Sequence, residues 1–163
     1  RLNSSKLPKK HLLLVREEQI IQFLIKRVKN VTSCNNIILA TTNTNLDDPL
    51  VDLAIKNKID YFRGDEENVM LRVLNAANFF STDIIVGITA DCPLVDPKII
   101  DECIVNFNNN EFQYLNNLSK PGFPGGMNCQ VYKAEALAKS YSLNNGDLES
   151  LEHVTLHMRN NPK

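Results

Sequence analysis

Hydrophobic residues recur along this chain in two alternating patterns, one with extended spacing and one with helical spacing. Short runs that are apolar on both faces predict buried strands covered by helices. Apolar residues three and four positions apart predict amphipathic helices between them. The predicted strands cover 36–41, 59–62, 83–89, 112–115 and 128–132. The predicted helices lie near 17–29, from 49, 64 and 97 onward, and near 134–141 and 147–159.

Two of these helices share a start signal, an aspartate followed by a proline. Asp48-Pro49 and Asp96-Pro97 each predict an N-cap with proline at the first helical position. The regular alternation of strands and helices favours the α/β class, with a mostly parallel sheet and helices on both faces. No repeat or linker divides the 163 residues, so we expect one domain over 1–163.

Composition narrows the class of protein only a little. The hydrophobic content of 43% and charged content of 23% are typical of a globular protein. A net charge of −1 argues against a general nucleic-acid or membrane-surface binder. No apolar run approaches the roughly 20 residues that span a bilayer, and the opening lacks the apolar region of a signal peptide. Four scattered cysteines without C-x-x-C spacing predict reduced thiols in a cytoplasmic protein.

Candidate ligand-binding residues lie at the ends of the predicted strands. Ligands of open α/β sheets bind beyond the carboxyl ends of the strands, which selects Thr41-Thr42, Arg63-Gly64 and the segment 89–93. Asp91 is placed there to bind Mg²⁺, which takes hard oxygen ligands from carboxylates and substrate phosphates. A simple loop or helix cap is the alternative for Asp91. The first ten residues carry four cations and no acid, which favours a polyphosphate loop, with a solvated basic tail as the alternative.

Several motifs resemble one known family. The segment 88–97, ITADCPLVDP, resembles the TGDCPLIDP motif of the sugar-activating cytidylyltransferases, in particular the branch of the spore-coat polysaccharide protein SpsF. That family also includes the sialic-acid and Kdo cytidylyltransferases. Five more segments match it in register: the phosphate loop at 1–10, an ATT strand at 38–43, an FRG segment at 62–69, a Pro-Gly segment at 123–128 and EHVT at 152–155. The resemblance covers essentially the whole chain and implies a Rossmann-like nucleotide-diphospho-sugar transferase fold.

The resemblance also implies an activity and a set of site residues. Enzymes of this kind join CTP to a sugar, whose hydroxyl attacks the α-phosphate and releases pyrophosphate. Lys10 and Asp91 are the implied catalytic residues, and Asp91 is the implied ligand of a Mg²⁺ cofactor. The implied nucleotide-binding residues are Arg1, Asn3, Ser4, Lys6, Lys10, Arg63 and Arg72. The implied sugar-side residues are Asn128, Gln130, Glu152 and His153. CTP and a sugar are the expected partners, without nucleic acid or membrane, and a homodimer is left open.

The chain departs from the family pattern at positions that matter for catalysis. Asn3 and Lys9 replace glycines of the phosphate loop, and lysine accommodates a positive φ less easily than glycine. Asn128 and Gln130 stand where the family has acids, and a neutral amide is a poor metal ligand and no base at neutral pH. The family's central first strand and a late carboxylate segment are not found, so we expect a piece of a longer chain. A non-catalytic relative that binds nucleotide or sugar as a scaffold is the alternative function.

Overall fold

Strands and helices alternate through the residues that the computed structural model describes, namely 1–3, 7–118 and 123–161. The described strands are β1 (Leu14–Val15), β2 (Glu18–Gln19), β3 (Ile38–Thr42), β4 (Asp60–Gly64), β5 (Ile84–Gly87), β6 (Tyr114–Asn116) and β7 (Gln130–Lys133). The described helices are α1 (Ile20–Val28), α2 (Asp48–Lys56), α3 (Val69–Phe79), α4 (Pro97–Asn108), α5 (Ala134–Ser142), α6 (Leu148–Glu152) and α7 (Leu156–Asn160). Short 3₁₀ turns lie at Lys10–Leu12 and Asn45–Asp47.

The strands pair in three groups. β3 and β4 are parallel, so that Thr42 lies opposite Gly64 where both strands end. β7 lies between β5 and β6 and is antiparallel to both, so β5 and β6 run in the same direction. β1 and β2 form a two-residue hairpin that the hydrophobic pattern does not predict, because each strand is too short to show a period.

Helices cover both faces of the sheet around β7. Successive side chains of a strand point to opposite faces. Val131 belongs to a buried cluster formed with α1, α2 and α4, whereas Tyr132 belongs to a second cluster formed with α3 and α5. The first cluster includes Leu24, Leu50, Ile100 and Phe107, and the second includes Met70 and Leu137. The predicted covering of both faces is therefore confirmed here.

An apolar groove of about 150 Å³ lies between β3 and β5. Its walls are formed by Leu39 of β3 and Val86 of β5, and its floor by Leu24 and Val28 of α1. In the described residues β3 and β5 do not pair with each other.

The two aspartate-proline signals have different outcomes. Asp96 caps α4 as predicted, because its carboxylate accepts a hydrogen bond from the backbone N–H of Lys98 at 2.9 Å. In the other case the prediction is wrong by one residue, since the N-cap of α2 is Asp47 and the helix begins at Asp48. The Asp47 side chain does not cap that helix, because its oxygens are engaged elsewhere.

Helix α3 begins later than predicted. Its N-cap is Asn68, whose side chain accepts a hydrogen bond from the backbone N–H of Leu71 at 2.9 Å. The Asp65 carboxylate accepts hydrogen bonds from the backbone N–H groups of Glu67 and Asn68, at 2.9 and 2.7 Å. These bonds stabilise a turn in place of the first helical turn. Residues 65–67 therefore form a loop at the end of β4.

The single helix predicted over 147–159 is wrong, because the chain breaks between α6 and α7. Val154 has a φ of 22°, which a helix does not accommodate. The Thr155 hydroxyl donates a hydrogen bond to the side-chain carbonyl of Gln130, and this long-range contact fixes the break. Glu152 and His153 consequently lie at a helix end.

The structure also bears on the membrane and thiol predictions. Across the described ranges, no helix is long and apolar enough to cross a membrane. The longest of them, α4, has 12 residues. All four cysteines are free thiols, and Cys92, Cys103 and Cys129 are buried.

Candidate active site

The basic loop at the start of the chain is closed by backbone hydrogen bonds. The N–H of Lys9 donates to the carbonyl of Leu2 at 2.9 Å, and the buried Leu2 side chain packs into the main core. Lys9 has a φ of 56°, so the position where the family has glycine adopts the left-handed conformation that glycine favours. Ser4 and Lys6, both predicted to bind nucleotide, lie outside the described residues.

Asp47 anchors this loop to the end of β3. Asp47 is 1% exposed, and its carboxylate accepts a hydrogen bond from the backbone N–H of Leu2 at 2.7 Å. It also accepts bonds from the Thr41 hydroxyl at 2.7 Å, and from the Thr42 N–H and hydroxyl at 3.1 and 2.7 Å. Burial alone would raise the pKa of Asp47, but these hydrogen bonds outweigh it and lower the pKa to about 2. The anchor is therefore a buried, fully ionised carboxylate at neutral pH.

Lys10 extends from the other end of the loop to the segment after β5. Its Nζ lies 2.8 Å from Oδ2 of Asp91, and the two side chains are 30% and 52% exposed. The hydrogen bond from Lys10 lowers the pKa of Asp91 from its ordinary value. Two predicted catalytic residues, 81 positions apart in sequence, are thus in direct contact.

Arg1 and Asn3 contact the loop after β4. Arg1 donates from one guanidinium nitrogen to the Glu66 carbonyl at 3.1 Å and to Oε1 of Glu67 at 2.6 Å. The Asn3 amide donates to Oε1 of Glu66 at 3.2 Å. The basic loop is therefore connected to the ends of three strands: through Leu2 to β3, through Arg1 to β4 and through Lys10 to β5. These are the three strand ends where the sequence predicts ligand binding.

Arg72 lies beneath the same loop and is buried. It donates from one terminal nitrogen to the carbonyls of Asp65 and Glu66, and its Nε is buried without a hydrogen-bond partner in the described part of the chain. A Cβ on Gly64 would lie 2.9 Å from Cγ of Arg72, so the absence of a side chain at Gly64 makes room for the arginine. Arg72 thus supports the loop that Arg1 contacts.

Arg63 is engaged by the loop that follows β3. Its guanidinium donates to the carbonyls of Thr42 and Thr44 at 2.9 and 2.6 Å and pairs with Asp48 at 2.8 Å. These contacts hold the segment between β3 and α2. The prediction that Arg63 binds nucleotide stays a prediction.

The predicted sugar-side amides lie at the same edge as Asp91. Because β7 is antiparallel to β5, its first residue Gln130 pairs with Gly87, the last residue of β5. Gln130 also lies opposite Asn116 at the end of β6. Asn128 precedes β7 and is partly buried. The amides therefore lie on the side of β5 away from β3 and β4.

Glu152 and His153 are exposed at the end of α6. The structure connects this region to the edge through Thr155, which donates to Gln130. The roles of Glu152 and His153 toward a sugar stay predictions.

The sequence motifs do not single out three residues of this edge. The Asp-Pro signal points to Asp48 and not to Asp47, although a Thr-Thr pair ending a strand ahead of an aspartate is a usable signal. Asn117 accepts from the N–H of Cys129 at 2.9 Å and donates to the Met127 carbonyl at 2.9 Å, which orders the segment before β7. His11 is buried next to Lys10; burial lowers its pKa and the Lys10 charge lowers that pKa further. No sequence pattern distinguishes His11 from an ordinary loop residue.

The residues at this edge fit a magnesium ion only together with phosphate. The described part of the chain contains no group of three or more His, Cys, Asp or Glu side chains that could hold a metal. Asp91 is nevertheless half exposed and already accepts a cation, the Lys10 ammonium, on Oδ2. Mg²⁺ commonly binds one or two carboxylates and completes its coordination with water and substrate phosphates. Asp91 fits that role.

The fold defines a Rossmann-like α/β protein with a basic loop across the ends of its strands. A family model described as cytidylyltransferase matches residues 1–163, and the chain belongs to that family. An uncharacterised protein of Methanocaldococcus jannaschii is 33% identical over 162 residues, covering 99% of this chain and 65% of that protein. The spore coat polysaccharide biosynthesis protein SpsF of Bacillus subtilis is 29% identical over 168 residues, covering 99% of this chain and 68% of that protein.

A solved structure agrees with these sequence relatives. A cytidylyltransferase from Leptospira borgpetersenii matches with a TM-score of 0.93 and 31% identity, covering 98% of this chain and 68% of that one. The predicted membership of the cytidylyltransferases and the predicted nucleotide-diphospho-sugar transferase fold are therefore confirmed. The chain spans about two thirds of the length of these relatives.

Proposed function

We propose that this protein transfers a cytidylyl group from CTP to a sugar in glycan biosynthesis, with Mg²⁺ as cofactor. Family membership supports the use of CTP, and similarity to SpsF supports a sugar acceptor. The observation that carries the proposal is the ion pair of Lys10 and Asp91 at the end of β5, 2.8 Å apart. A phosphate-binding cation and a metal-binding carboxylate are what a nucleotidyl transfer requires side by side.

The proposed reaction exchanges a phosphoanhydride bond of CTP for a phosphate ester bond to the sugar. The sugar hydroxyl oxygen bonds to the α-phosphorus, the bond from that phosphorus to the oxygen bridging the β-phosphate breaks, and pyrophosphate leaves while the hydroxyl proton is released. Such transfers depend mainly on positioning and on neutralising the charge that develops on the phosphate oxygens. We assign that neutralisation to Lys10, Arg1 and Lys6.

We place the nucleotide along the ends of β3 and β4 and the sugar toward β7. Asp91 would hold Mg²⁺, which when bound supplies positive charge to the phosphate oxygens. Asn128 and Gln130 would donate and accept hydrogen bonds with sugar hydroxyls, since a neutral amide offers both. The cytoplasmic location and the homodimer stay predictions.

The first experiment measures thermal unfolding of the protein with CTP, UTP, ATP and GTP, each with and without Mg²⁺. Selective stabilisation by CTP with Mg²⁺ is expected, and a ligand at about 100 times its Kd adds about 2.7 kcal/mol to the free energy of unfolding. Pyrophosphate release from CTP is then assayed against a panel of sugars. A well-folded sample that no nucleotide stabilises would contradict the proposal.

Two variants connect the proposed activity to the named residues. Asp91→Asn is expected to abolish Mg²⁺-dependent turnover without unfolding the protein, and Asp83→Asn is the matched control. Asp83 is an exposed aspartate immediately before β5, at the opposite end of that strand. Lys10→Ala is expected to weaken triphosphate binding in the presence of Mg²⁺ by about 1.5–3 kcal/mol, the range of a charge-assisted hydrogen bond. Activity of Asp91→Asn equal to that of Asp83→Asn would refute the metal assignment.

A non-catalytic relative is the second candidate function. The observation that favours it is Gln130, whose neutral side-chain carbonyl accepts a hydrogen bond from Thr155 at a position where the resemblance implies an acid. Under this alternative, CTP stabilises the protein and no sugar supports pyrophosphate release. Replacing both amides by acids, Asn128→Asp with Gln130→Glu, is then expected to restore turnover if their neutrality is the cause.

A further inference from the structure

The cation proposed for phosphate and the carboxylate proposed for metal satisfy each other in the ligand-free protein. Lys10 Nζ lies 2.8 Å from Asp91 Oδ2, and both side chains are accessible to solvent. Within the described ranges Asp91 forms its ion pair with Lys10 alone. Each group therefore competes with the proposed ligand of the other, since the ammonium repels a metal ion and the carboxylate repels phosphate.

Neither Mg²⁺ alone nor a triphosphate alone provides new partners for both Lys10 and Asp91. Mg²⁺ arriving first would meet a single carboxylate next to a positive ammonium, without the further acidic ligands that hold a metal by themselves. A triphosphate arriving first would draw Lys10 away and leave the Asp91 carboxylate unpaired beside several negative charges. When both ligands bind, Lys10 contacts phosphate and Asp91 contacts the metal, so every charge has a partner.

We propose that Lys10 and Asp91 form an exchangeable ion pair that weakens the binding of divalent metal at Asp91 until a triphosphate takes Lys10. This inference rests on the proposed function for the identity of the two ligands. Its consequence is positive coupling: each ligand raises the affinity of the other, by the same factor in both directions. Lys10 thus both binds the nucleotide and controls access to the metal ligand.

The first test uses Mn²⁺ alone as the probe, with no nucleotide, and follows binding by electron paramagnetic resonance. Lys10→Met removes the charge and keeps an unbranched side chain. We expect it to raise Mn²⁺ affinity about three- to tenfold, as the loss of one competing cation in a partly exposed pair allows. Lys9→Met is the matched control, because Lys9 is the adjacent exposed cation of the same loop and makes no ion pair in the described residues.

A double variant tests whether the Mn²⁺ ion binds at Asp91. The gain must disappear in the double variant Lys10→Met with Asp91→Asn, because the metal would then lack its carboxylate. Unchanged or weaker Mn²⁺ binding by Lys10→Met overturns the inference. So does an equal gain in Lys9→Met, or a gain that survives Asp91→Asn, since either would place the ion elsewhere.

The second test measures CTP binding with metal removed by EDTA. Asp91→Asn is expected to bind CTP about three- to tenfold more tightly than the unaltered protein, because Lys10 is then free and one negative charge is gone. Asp83→Asn is expected to bind as the unaltered protein does. Equal or weaker CTP binding by Asp91→Asn overturns the inference while leaving the proposed function intact.

The two proposals fail differently. If no nucleotide binds in any condition, the proposed function fails and so does the coupling to triphosphate. The Mn²⁺ titration then still decides whether Lys10 weakens the binding of metal at Asp91.

Discussion

Asp47→Asn tests whether a buried carboxylate holds the basic loop in place. Asp47 accepts four hydrogen bonds, from the Leu2 N–H, the Thr41 hydroxyl, and the N–H and hydroxyl of Thr42. An asparagine keeps one oxygen and turns an NH₂ group toward these donors, so at least one buried N–H loses its acceptor. Leaving such a donor unpaired costs about 1–3 kcal/mol.

The pKa of Asp47 expresses the same hydrogen bonds as a second magnitude. They lower the pKa from 3.8 to about 2, and each pKa unit corresponds to about 1.4 kcal/mol, so the ionised carboxylate contributes about 2–3 kcal/mol to stability. Because the folded state has the lower pKa, this contribution is complete above the unfolded value near 4. It is lost as the pH falls from there toward 2.

The assay is urea unfolding followed by circular dichroism, at pH 7 and at steps down to pH 3. Asp47→Asn is expected to lower the free energy of unfolding at pH 7 by about 2–4 kcal/mol and to show a shallower loss of stability below pH 4. Asp48→Asn is the matched control; the Asp48 side chain is 52% exposed and pairs with Arg63. Its expected cost is below about 1 kcal/mol.

The result that would refute this reasoning is a cost for Asp47→Asn no larger than that for Asp48→Asn. An unchanged acid profile below pH 4 would refute the ionised anchor even if the variant were destabilised. A second readout tests the connection to function: Asp47→Asn should weaken CTP binding, because Leu2 loses its backbone contact to the end of β3.

Three further predictions concern the same edge. Lys9→Gly should stabilise the fold by up to about 1 kcal/mol in thermal unfolding, because φ at Lys9 is 56° and glycine removes the left-handed strain; an equal gain from Lys9→Ala would show another cause. Gly64→Ala should cost about 1–3 kcal/mol, since its Cβ would lie 2.9 Å from Cγ of buried Arg72; Gly125→Ala, with open space around it, should be neutral, and equal costs would contradict the steric argument. Thr155→Val should destabilise the α6–α7 segment in hydrogen exchange by removing the bond to Gln130; unchanged protection there would mean that the hydroxyl does not fix the break.

Much of the fold follows from local sequence signals. The Asp96-Pro97 cap is confirmed because the carboxylate and the proline act within one helical turn, without help from the rest of the chain. The presence of these strands follows from short apolar runs for the same reason, although each ends one or two residues from its predicted end. The position of the basic loop beside Asp91 follows from a topological rule, since the ends of neighbouring strands meet at one edge.

The features that the sequence does not predict depend on contacts between distant residues. Asp47 looks like part of an Asp-Asp-Pro helix start, and only the 3₁₀ turn Asn45–Asp47 directs its carboxylate back to Thr41 and Thr42. The continuous helical pattern over 147–159 contains no breaker, because the break is fixed by a bond from Thr155 to Gln130 in another element. The late start of α3 is a competition between side chains: Asp65 and Asn68 each take backbone N–H groups that a longer helix would have needed.

The cations of the basic loop bear on how a nucleotide would bind. Arg1 pairs with Glu67 at 2.6 Å and Lys10 pairs with Asp91 at 2.8 Å in the ligand-free protein. A triphosphate would therefore replace carboxylates as partners of these cations. Its affinity would reflect the difference in free energy between the cation–phosphate pairs that form and the cation–carboxylate pairs that break. Both existing pairs are at least partly exposed, and such pairs are worth only about 0–1 kcal/mol each, so the exchange is inexpensive. The same pairing holds the loop in position before CTP arrives, because Arg1 and Lys10 fix its two ends to the loops after β4 and β5.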